Sequence, residues 1–326
     1  MELIKIEHLG ISFDSRTKKK EKVKILQDIN LSIEEGEVIA LVGESGCGKT
    51  TLGKTIVGLY PPSEGTIYYR GKDITKLNKK EYMDYRLGVQ MVHQDSFAAL
   101  NPNRTIFQSL SMPLMQNHIA KNKKEAEDIL KEYFTEVGLT PPEQFLYKYP
   151  HQLSGGQRQR ILLARALSVK PRVIVADEPV SMVDVSLRIA LIDLMTRMNQ
   201  KYKISFVYIT HDLATARYVA KDGRLAVMYL GRIVELNNIL EAIDNPKHPY
   251  FKALIAAVPS DIGRGRSEMK DLPLRSLDMP SVNNPPSGCS FHTRCPYYKD
   301  RCEKEIPKLR EFEGGMIACH FAEEIP

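Results

Sequence analysis

The chain has 326 residues, of which 43% are hydrophobic and 26% charged, a composition typical of soluble globular proteins. The formal net charge of +6 permits an anionic partner such as nucleic acid or lipid but does not require one. No stretch reaches the roughly 18 uncharged apolar residues that span a bilayer, and the opening MELIKIEHLG lacks a secretory apolar core. We therefore expect a cytosolic protein, to which a partner must supply any membrane-spanning helices.

The first part of the chain predicts strands followed by a helix. LIKIEHLGISF and ILQDINLSI alternate apolar and polar residues, and EVIALV is a continuous apolar run that ends at Gly43. TTLGKTIVGLY then has the periodicity of a helix. The basic run at 16–24 is interpreted as a solvated loop between the first two strands, with an anion-binding arm as the alternative.

The rest of the chain predicts an α/β core with a helical insertion. Helical periodicity dominates from about 97 to 170, and strand patterns return in VIVAD, FVYIT and RLAVMYLGRIVEL. Strands that alternate with helices indicate a mostly parallel sheet. A stretch rich in proline and glycine at 259–288 predicts a linker. We therefore expect an α/β domain over 1–258 and a C-terminal extension over 259–326.

The segment GESGCGKT at 43–50 predicts a phosphate-binding loop. It matches G-x-x-x-x-G-K-[ST] at every fixed position, follows an apolar strand and opens a predicted helix. Its glycines allow successive backbone N–H groups to point at one phosphate. Lys49 adds a positive charge, and Thr50 offers a hydroxyl to Mg²⁺.

Two adjacent carboxylates end the strand VIVADE at 173–178. Beside a phosphate-binding loop, Asp177 is expected to hold Mg²⁺ and Glu178 to orient and polarise an attacking water. The alternative is a buried strand that ends in two solvated acids.

The segment LSGGQRQR at 153–160 resembles the signature of the ATP-binding subunits of ABC transporters. Five further motifs lie along the chain, before and after this segment, in that family's order. GESGCGKT and VIVADE resemble its Walker A and Walker B segments, and Gln94 matches the Q-loop glutamine. Asp184 in SMVD lies at the D-loop, and His211 in YITHD matches the switch histidine. The resemblance implies an α/β fold of the P-loop NTPase class: an ABC-type nucleotide-binding domain with a mixed sheet core and a helical subdomain at about 97–170, and a small cysteine-bearing extension.

The resemblance also implies site residues by position. Catalytic roles are implied for Glu178, His211 and Gln94. Mg²⁺ contacts are implied for Thr50, Gln94 and Asp177. ATP contacts are implied for Phe13, Gly43, Ser45, Gly46, Cys47, Gly48, Lys49, Thr50, Thr51, Gln94, Asp177, Ser154, Gly155, Gly156 and Gln157. His93 and the D-loop sequence SMVD depart from the usual family pattern.

The signature itself suggests a shared site. Ser154 is a good N-cap, and the two glycines after it expose N–H groups at a helix start. In the family this anion site closes over the γ-phosphate of a second subunit. The expected partners are therefore a second ATP-binding subunit, identical or a sister, two membrane-spanning permease subunits and, indirectly, an extracellular solute-binding protein, with no nucleic acid.

Four of the five cysteines lie near the C-terminus: Cys289, Cys295, Cys302 and Cys319. Their spacing lacks the C-x2-C pairs common in zinc sites, and stable disulfides are rare in the cytosol. From the spacing alone, an iron–sulfur cluster, zinc and unliganded thiols all stay open. HPYFKALIAAVP at 248–259 and NPPSGCSFHTRCP at 284–296 resemble the C-terminal extension of the dipeptide/oligopeptide importer branch. That resemblance implies a 4Fe–4S cluster on these four cysteines, with zinc as the alternative.

The function implied by the resemblance is that of an ATP-hydrolysing subunit of a di- or oligopeptide importer, at the cytoplasmic face of the cell membrane. Alternatives are the same role for another solute, such as an oligosaccharide, nickel or glutathione, and a soluble ABC-type ATPase acting on DNA or the ribosome.

Overall fold

The computed structural model describes residues 1–14, 22–257, 274–282 and 284–326. The predicted basic loop at 16–24 and the predicted linker at 259–288 lie in part outside these residues. The chain forms two compact units. Unit 1 comprises Met1–Lys76 and Tyr208–Pro326, and unit 2 comprises Leu77–Val207.

The described residues form strands and helices in the following order. The strands are β1 (Glu2–Asp14), β2 (Lys22–Glu34), β3 (Val38–Val42), β4 (Glu64–Tyr69), β5 (Lys72–Asp73), β6 (Val89–Val92), β7 (Val173–Asp177), β8 (Ser205–Ile209), β9 (Arg224–Tyr229), β10 (Arg232–Asn238), β11 (Arg310–Phe312) and β12 (Gly315–Ile317). The helices are α1 (Lys49–Ile56), α2 (Lys79–Gly88), α3 (Ile106–Gln116), α4 (Lys123–Glu136), α5 (Glu143–Leu146), α6 (Gly155–Leu167), α7 (Val185–Tyr202), α8 (Leu213–Val219), α9 (Ile239–Asp244), α10 (Pro249–Ala256) and α11 (Asp300–Lys304). Short 3₁₀ turns lie at Ile74–Lys76, Pro150–Gln152 and Ala322–Glu324.

Unit 1 contains an antiparallel sheet of four strands in the order β2-β1-β4-β5. The alternation seen in the sequence places Ile4 and Ile6 of β1 on the buried face, and both side chains are essentially inaccessible to solvent. In this sheet Ile6 pairs with Leu31 of β2 and with Ile67 of β4.

A second group of strands in unit 1 carries the predicted phosphate-binding loop. Their order is β11-β12-β10-β9-β3, and β3 runs parallel to β9 with Val42 opposite Val227. The continuous apolar run of β3 fits a strand that is covered on both faces. RLAVMYLGRIVEL, predicted as strand, forms two antiparallel strands, because Leu230 and Gly231 adopt φ values of 42° and 79° and reverse the chain between β9 and β10.

The cysteine-bearing segment packs into the core of unit 1. The ring of Phe291 lies 5.3 Å from that of Tyr229 on β9 and 5.5 Å from that of Tyr250 on α10. All three side chains are at most 1% exposed, and Cys295 belongs to the same buried cluster. Burial of these aromatic rings anchors this part of the extension to β9 and α10.

Unit 2 combines the parallel pair β6 and β7 with helices α2–α7. Capping side chains define where its helices begin. Thr105 accepts from the Gln108 N–H at the start of α3, and Asn122 accepts from the Glu125 N–H at the start of α4. Among the described helices, none is both long and apolar enough to cross a membrane.

Candidate nucleotide-binding site

The predicted phosphate-binding loop lies between β3 and α1 in unit 1, as the sequence indicates. Gly43, Gly46 and Gly48 have φ values of 151°, 80° and 106°, which favour glycine. A Cβ atom on Gly43 would lie 2.2 Å from the Met228 carbonyl oxygen, and one on Gly48 would lie 2.8 Å from Leu26. Gly43 and Gly48 are therefore required by close packing as well as by backbone conformation. A Cβ atom on Gly46 would meet no other atom within 4 Å, so only its backbone conformation favours glycine.

The Lys49 side chain bonds to the backbone of its own loop. Its Nζ donates to the Gly43 carbonyl at 2.6 Å and to the Glu44 carbonyl at 3.0 Å, although the residue is only 6% exposed. These bonds hold a positive charge at the start of α1, where the helix dipole also favours an anion. The hydroxyl-bearing residues Ser45 and Thr50 are exposed, and Thr51 is half-buried.

Cys47 is buried in the same loop. Its side chain lies 3.8 Å from Lys49 Nζ, yet burial raises the pKa of the thiol because the lysine charge compensates only in part. The thiol is therefore protonated at neutral pH. Its backbone carbonyl accepts from the Gly231 N–H at 2.9 Å, which ties the loop to the β9–β10 turn.

Two expected catalytic side chains meet in unit 2. Gln94 Nε2, after β6, donates to Glu178 Oε2, after β7, at 2.9 Å. The parallel pairing of β6 and β7 brings their carboxyl ends to one edge of the sheet. Glu178 has a left-handed φ of 44°, and its carbonyl accepts from both the N–H and the hydroxyl of Ser181. Asp177, at the end of β7, is 4% exposed.

The signature segment forms the start of α6. Ser154 is the N-cap and accepts from the Gln157 N–H at 3.3 Å, while Gln157 Oε1 accepts from the Ser154 N–H at 3.0 Å. A Cβ atom on Gly155 would lie 2.8 Å from the Met182 carbonyl oxygen, so this glycine allows close packing. Ser154 is exposed, and Gly155 and Gly156 are half-buried, which leaves the positive helix end accessible to an anion. Asp184, at the predicted D-loop, is the N-cap residue of α7.

The two remaining expected residues lie in unit 1. His211 follows β8 and is exposed, and Asp212 beside it caps α8 by accepting from the Ala214 N–H at 2.9 Å. Phe13, near the end of β1, is 38% exposed, and its ring makes an edge contact with Tyr60 at 5.1 Å. An exposed aromatic face is what stacking on a planar base requires.

Sequence reasoning missed several contacts that hold these segments. In unit 2, Gln159 Nε2 donates to the His93 carbonyl at 3.3 Å and to the Gln94 carbonyl at 3.0 Å. The signature helix therefore holds the backbone of the Q-loop. The spacing of the motifs gives no signal for this contact, because the residues are 65 and 66 positions apart.

Each unit contains oxygen donors of the kind that Mg²⁺ prefers. The Thr50 hydroxyl is in unit 1, and the Asp177 carboxylate and the Gln94 side-chain carbonyl are in unit 2. Mg²⁺ prefers oxygen ligands and is usually bound by one or two protein groups together with substrate phosphates and water. Binding of Mg²⁺ together with a nucleotide therefore does not require a protein cluster of three or more acidic or histidine ligands.

The 4Fe–4S prediction is wrong. Within the described residues, no group of three or more His, Cys, Asp or Glu side chains converges to hold a metal ion. The cysteines at 289, 295, 302 and 319 do line one cavity, but its volume of about 20 Å³ has room for little more than one water. Burial raises the pKa of Cys289 and of Cys295 to about 12, so both are neutral thiols. The same finding removes the zinc alternative, and the thiols pack as small apolar groups.

Comparison with known proteins agrees with this architecture. Residues 26–181 match the family described as ABC transporter, and residues 234–302 match the oligopeptide/dipeptide transporter, C-terminal region. The oligopeptide transport ATP-binding protein AppF of Bacillus subtilis is 41% identical over 300 residues, covering 91% of this chain and 89% of AppF. The di/tripeptide transport ATP-binding protein DppF of Pseudomonas aeruginosa is 38% identical over 306 residues, covering 93% of this chain and 91% of DppF.

Solved structures agree on the fold. The dimeric post-hydrolysis state of the ATP-binding cassette MJ0796 bound to ADP and Pi is similar with a TM-score of 0.64 and 28% identity, over 73% of this chain and 99% of that one. The CbiO1 protein of Clostridium perfringens is similar with a TM-score of 0.63 and 26% identity, over 75% of this chain and 91% of that one. With its phosphate-binding loop, signature helix and paired Gln94 and Glu178, the chain belongs to the ABC transporter family as an ATP-binding subunit.

Proposed function

We propose that this chain is the ATP-hydrolysing subunit of an importer for di- or oligopeptides. The supporting observation is its similarity, over nine tenths of its length, to proteins named for oligopeptide and di/tripeptide transport. In this proposal residues 1–258 act as the ATP-binding domain, with a helical subdomain at about 97–170, and residues 259–326 form the extension. The subunit works with a second ATP-binding subunit and two permease subunits at the cytoplasmic face of the membrane.

In this function the phosphate-binding loop holds the ATP phosphates. Backbone N–H groups of residues 43–51 surround them, and Lys49 transfers its hydrogen bonds from the loop carbonyls to phosphate oxygens. The exposed ring of Phe13 stacks on the adenine. Thr50 and Asp177 would each offer an oxygen ligand to Mg²⁺, which would neutralise charge on the phosphates when bound.

Hydrolysis depends on the pair formed by Gln94 and Glu178. The Glu178 carboxylate accepts a proton from the attacking water, the water oxygen bonds to the γ-phosphorus, and the bond to the ADP oxygen breaks. Gln94 donates to Glu178 at 2.9 Å and fixes the carboxylate direction. His211 orients the water and contacts the γ-phosphate in this scheme.

The lid over the γ-phosphate comes from a second subunit. Ser154, Gly155 and Gly156 present the start of α6, an anion site, to the nucleotide of the partner. Hydrolysis then opens the dimer, and the attached permease subunits change state.

The experiment that tests this function is reconstitution. The chain, co-purified with its sister and permease subunits, is placed in proteoliposomes with an extracellular peptide-binding protein. MgATP is expected to drive uptake of labelled peptide, and Lys49→Ala in this chain to abolish it. Uptake of a sugar or a metal complex in place of peptide would overturn the proposed cargo, and ATP-independent uptake would overturn the proposed role.

A further inference from the structure

The second residue of the phosphate-binding loop is held by side chains from the C-terminal part of the chain. The Glu44 N–H donates to the Tyr250 hydroxyl at 2.8 Å. Arg294 Nη1 donates to both carboxylate oxygens of Glu44, at 3.1 and 3.2 Å. The Arg294 side chain is 9% exposed and that of Glu44 26%, so salt screens this partly buried ion pair less than it screens an exposed one.

Both anchoring residues are held by further contacts. The Tyr250 ring lies 4.5 Å from that of Tyr229 and 5.5 Å from that of Phe291, inside the aromatic core of unit 1. Burial raises the pKa of the Tyr250 phenol, so its hydroxyl stays protonated at neutral pH. The backbone N–H of Arg294 donates to the Phe291 carbonyl at 3.0 Å, within the turn that also contains Cys289 and Cys295. A hydrogen-bonded turn of the extension therefore carries the guanidinium to Glu44.

Glu44 passes this constraint to the lysine of the loop. Its carbonyl accepts from Lys49 Nζ at 3.0 Å and from the Cys47 N–H at 3.3 Å. Glu44 thus joins the C-terminal segment, through its carboxylate and its N–H, to the group that would bind the phosphates. The pair of Arg294 and Glu44 differs from the many exposed ion pairs of the chain, which contribute little to stability.

We propose that Arg294 is a positioning residue for nucleotide binding, which holds Glu44 and so keeps the phosphate-binding loop in the shape that receives ATP. The inference deepens the proposed function and rests on ATP occupying this loop. It gives the C-terminal extension a role at the ATP site that does not involve metal. Substitutions in the extension that disturb Arg294 are then expected to change the affinity for ATP.

The test compares variants of the full chain by binding of a labelled non-hydrolysable ATP analogue with Mg²⁺ and by steady-state hydrolysis. Arg294→Met keeps an unbranched side chain but removes the charge and the N–H donors, and is expected to raise the Kd for the analogue about tenfold. KM for ATP rises in parallel and kcat changes little, because Arg294 does not touch the reacting atoms. Arg294→Lys, which keeps one charge, recovers part of the loss.

A double-mutant cycle separates this role from general stability. Glu44→Gln removes the same ion pair from the loop side, so Glu44→Gln/Arg294→Met binds no more weakly than the worse single variant. Arg301→Met is the matched control, because Arg301 pairs with the exposed Glu305 at 2.8 Å in the same segment and is expected to leave Kd unchanged. If Arg294→Met does not fold, Glu44→Gln alone carries the test, with the same tenfold loss expected.

The inference is overturned if Arg294→Met, folded as judged by its melting curve, binds the analogue as wild type does. Additive losses in the double variant also overturn it. Lys49→Ala distinguishes a failure of the positioning role of Arg294 from a failure of the nucleotide site itself. If Lys49→Ala loses the analogue but Arg294→Met and Glu44→Gln do not, only the positioning role fails. If Lys49→Ala binds normally, the nucleotide site itself is wrong.

Discussion

At the scale of single residues, the main finding is that the expected catalytic carboxylate already has a partner. Glu178 accepts from Gln94 at 2.9 Å, and its left-handed backbone is held by two bonds from Ser181 to its carbonyl. A non-glycine residue at such a φ costs about 1 kcal/mol or more and persists only when the surroundings enforce it. The bonds from Ser181 hold the backbone of Glu178, and the bond from Gln94 sets the direction of its carboxylate.

Glu178→Gln tests whether this carboxylate accepts the proton of the attacking water. Glutamine preserves the size and the hydrogen bond but cannot take up a proton, so kcat is expected to fall by at least about 100-fold. Binding of MgATP should stay within about twofold of wild type, and the dimer should accumulate in a closed state. Phosphate release and nucleotide binding are measured side by side. Turnover at the wild-type rate would contradict the role, and Glu305→Gln, at an exposed pair, is the control.

At the scale of elements, a buried acid connects β10 to the start of α10. Glu235 is 2% exposed and accepts from the backbone N–H groups of Lys247 and His248, the latter at 2.7 Å. His248 in turn caps α10, because its Nδ1 accepts from the Tyr250 N–H at 3.1 Å. Glu235 thus helps to orient the helix that supplies Tyr250 to the phosphate-binding loop.

Burial raises the pKa of Glu235 from 4.5 to about 7. The folded state then binds this proton more tightly than the unfolded state does. The stabilisation is fully present below pH 4.5 and is lost as the pH rises through about 7. Glu235→Gln stays neutral throughout and still accepts hydrogen bonds. Its free energy of unfolding, relative to wild type, is therefore expected to increase between pH 4.5 and 7 by up to about 3 kcal/mol.

Urea unfolding at several pH values measures this difference. Burial lowers the pKa of His248 to about 3, so its stabilisation is present above pH 6.5 and is lost at lower pH, with a slope of opposite sign. The contribution of His248 is common to wild type and to Glu235→Gln, so it cancels when their free energies of unfolding are compared. Glu241→Gln, at an exposed position on the neighbouring α9, serves as control and should run parallel to wild type. A pH-independent difference for Glu235→Gln would refute the assignment.

At the scale of the whole molecule, the expected site residues are distributed over two compact units. Unit 1 carries the phosphate-binding loop and His211, and unit 2 carries Gln94, Glu178 and the signature. The signature forms a helix start with a complete capping box, a geometry that favours an anion. In the proposed function that site serves the nucleotide of a second subunit, so hydrolysis requires assembly.

Ser154→Asp separates the structural and functional parts of the signature. Aspartate caps a helix as well as serine does, so α6 should keep its stability, whereas Ser154→Ala should lose about 1 kcal/mol. The added negative charge repels the γ-phosphate of the partner's nucleotide, so Ser154→Asp is expected to lose hydrolysis by at least about tenfold while each chain still binds ATP. ATPase rate per chain should also rise with protein concentration. Full-rate hydrolysis by a monomer, or by Ser154→Asp, would contradict the shared site.

Local features of this protein could be predicted from its sequence. The strand, glycine-rich turn and helix around residues 43–56 follow from an apolar run and from glycines at positive φ, and the start of α6 follows from Ser154 and Gln157. These features need only neighbouring residues, because a turn or a cap is formed within four positions. The division of RLAVMYLGRIVEL into two strands depends on a turn of two residues, of which Leu230 gives no turn signal.

Contacts between distant segments were decided only by the tertiary structure. Glu44 and Arg294 are 250 positions apart, and the bond of Gln159 to the Q-loop crosses 65 positions. The cysteines show the same limit: their spacing permits a cluster, but the packing of the extension leaves them around a cavity of about 20 Å³. Spacing along the chain determines which side chains are available, whereas the burial of Phe291 and its neighbours determines where those side chains meet and in which protonation state.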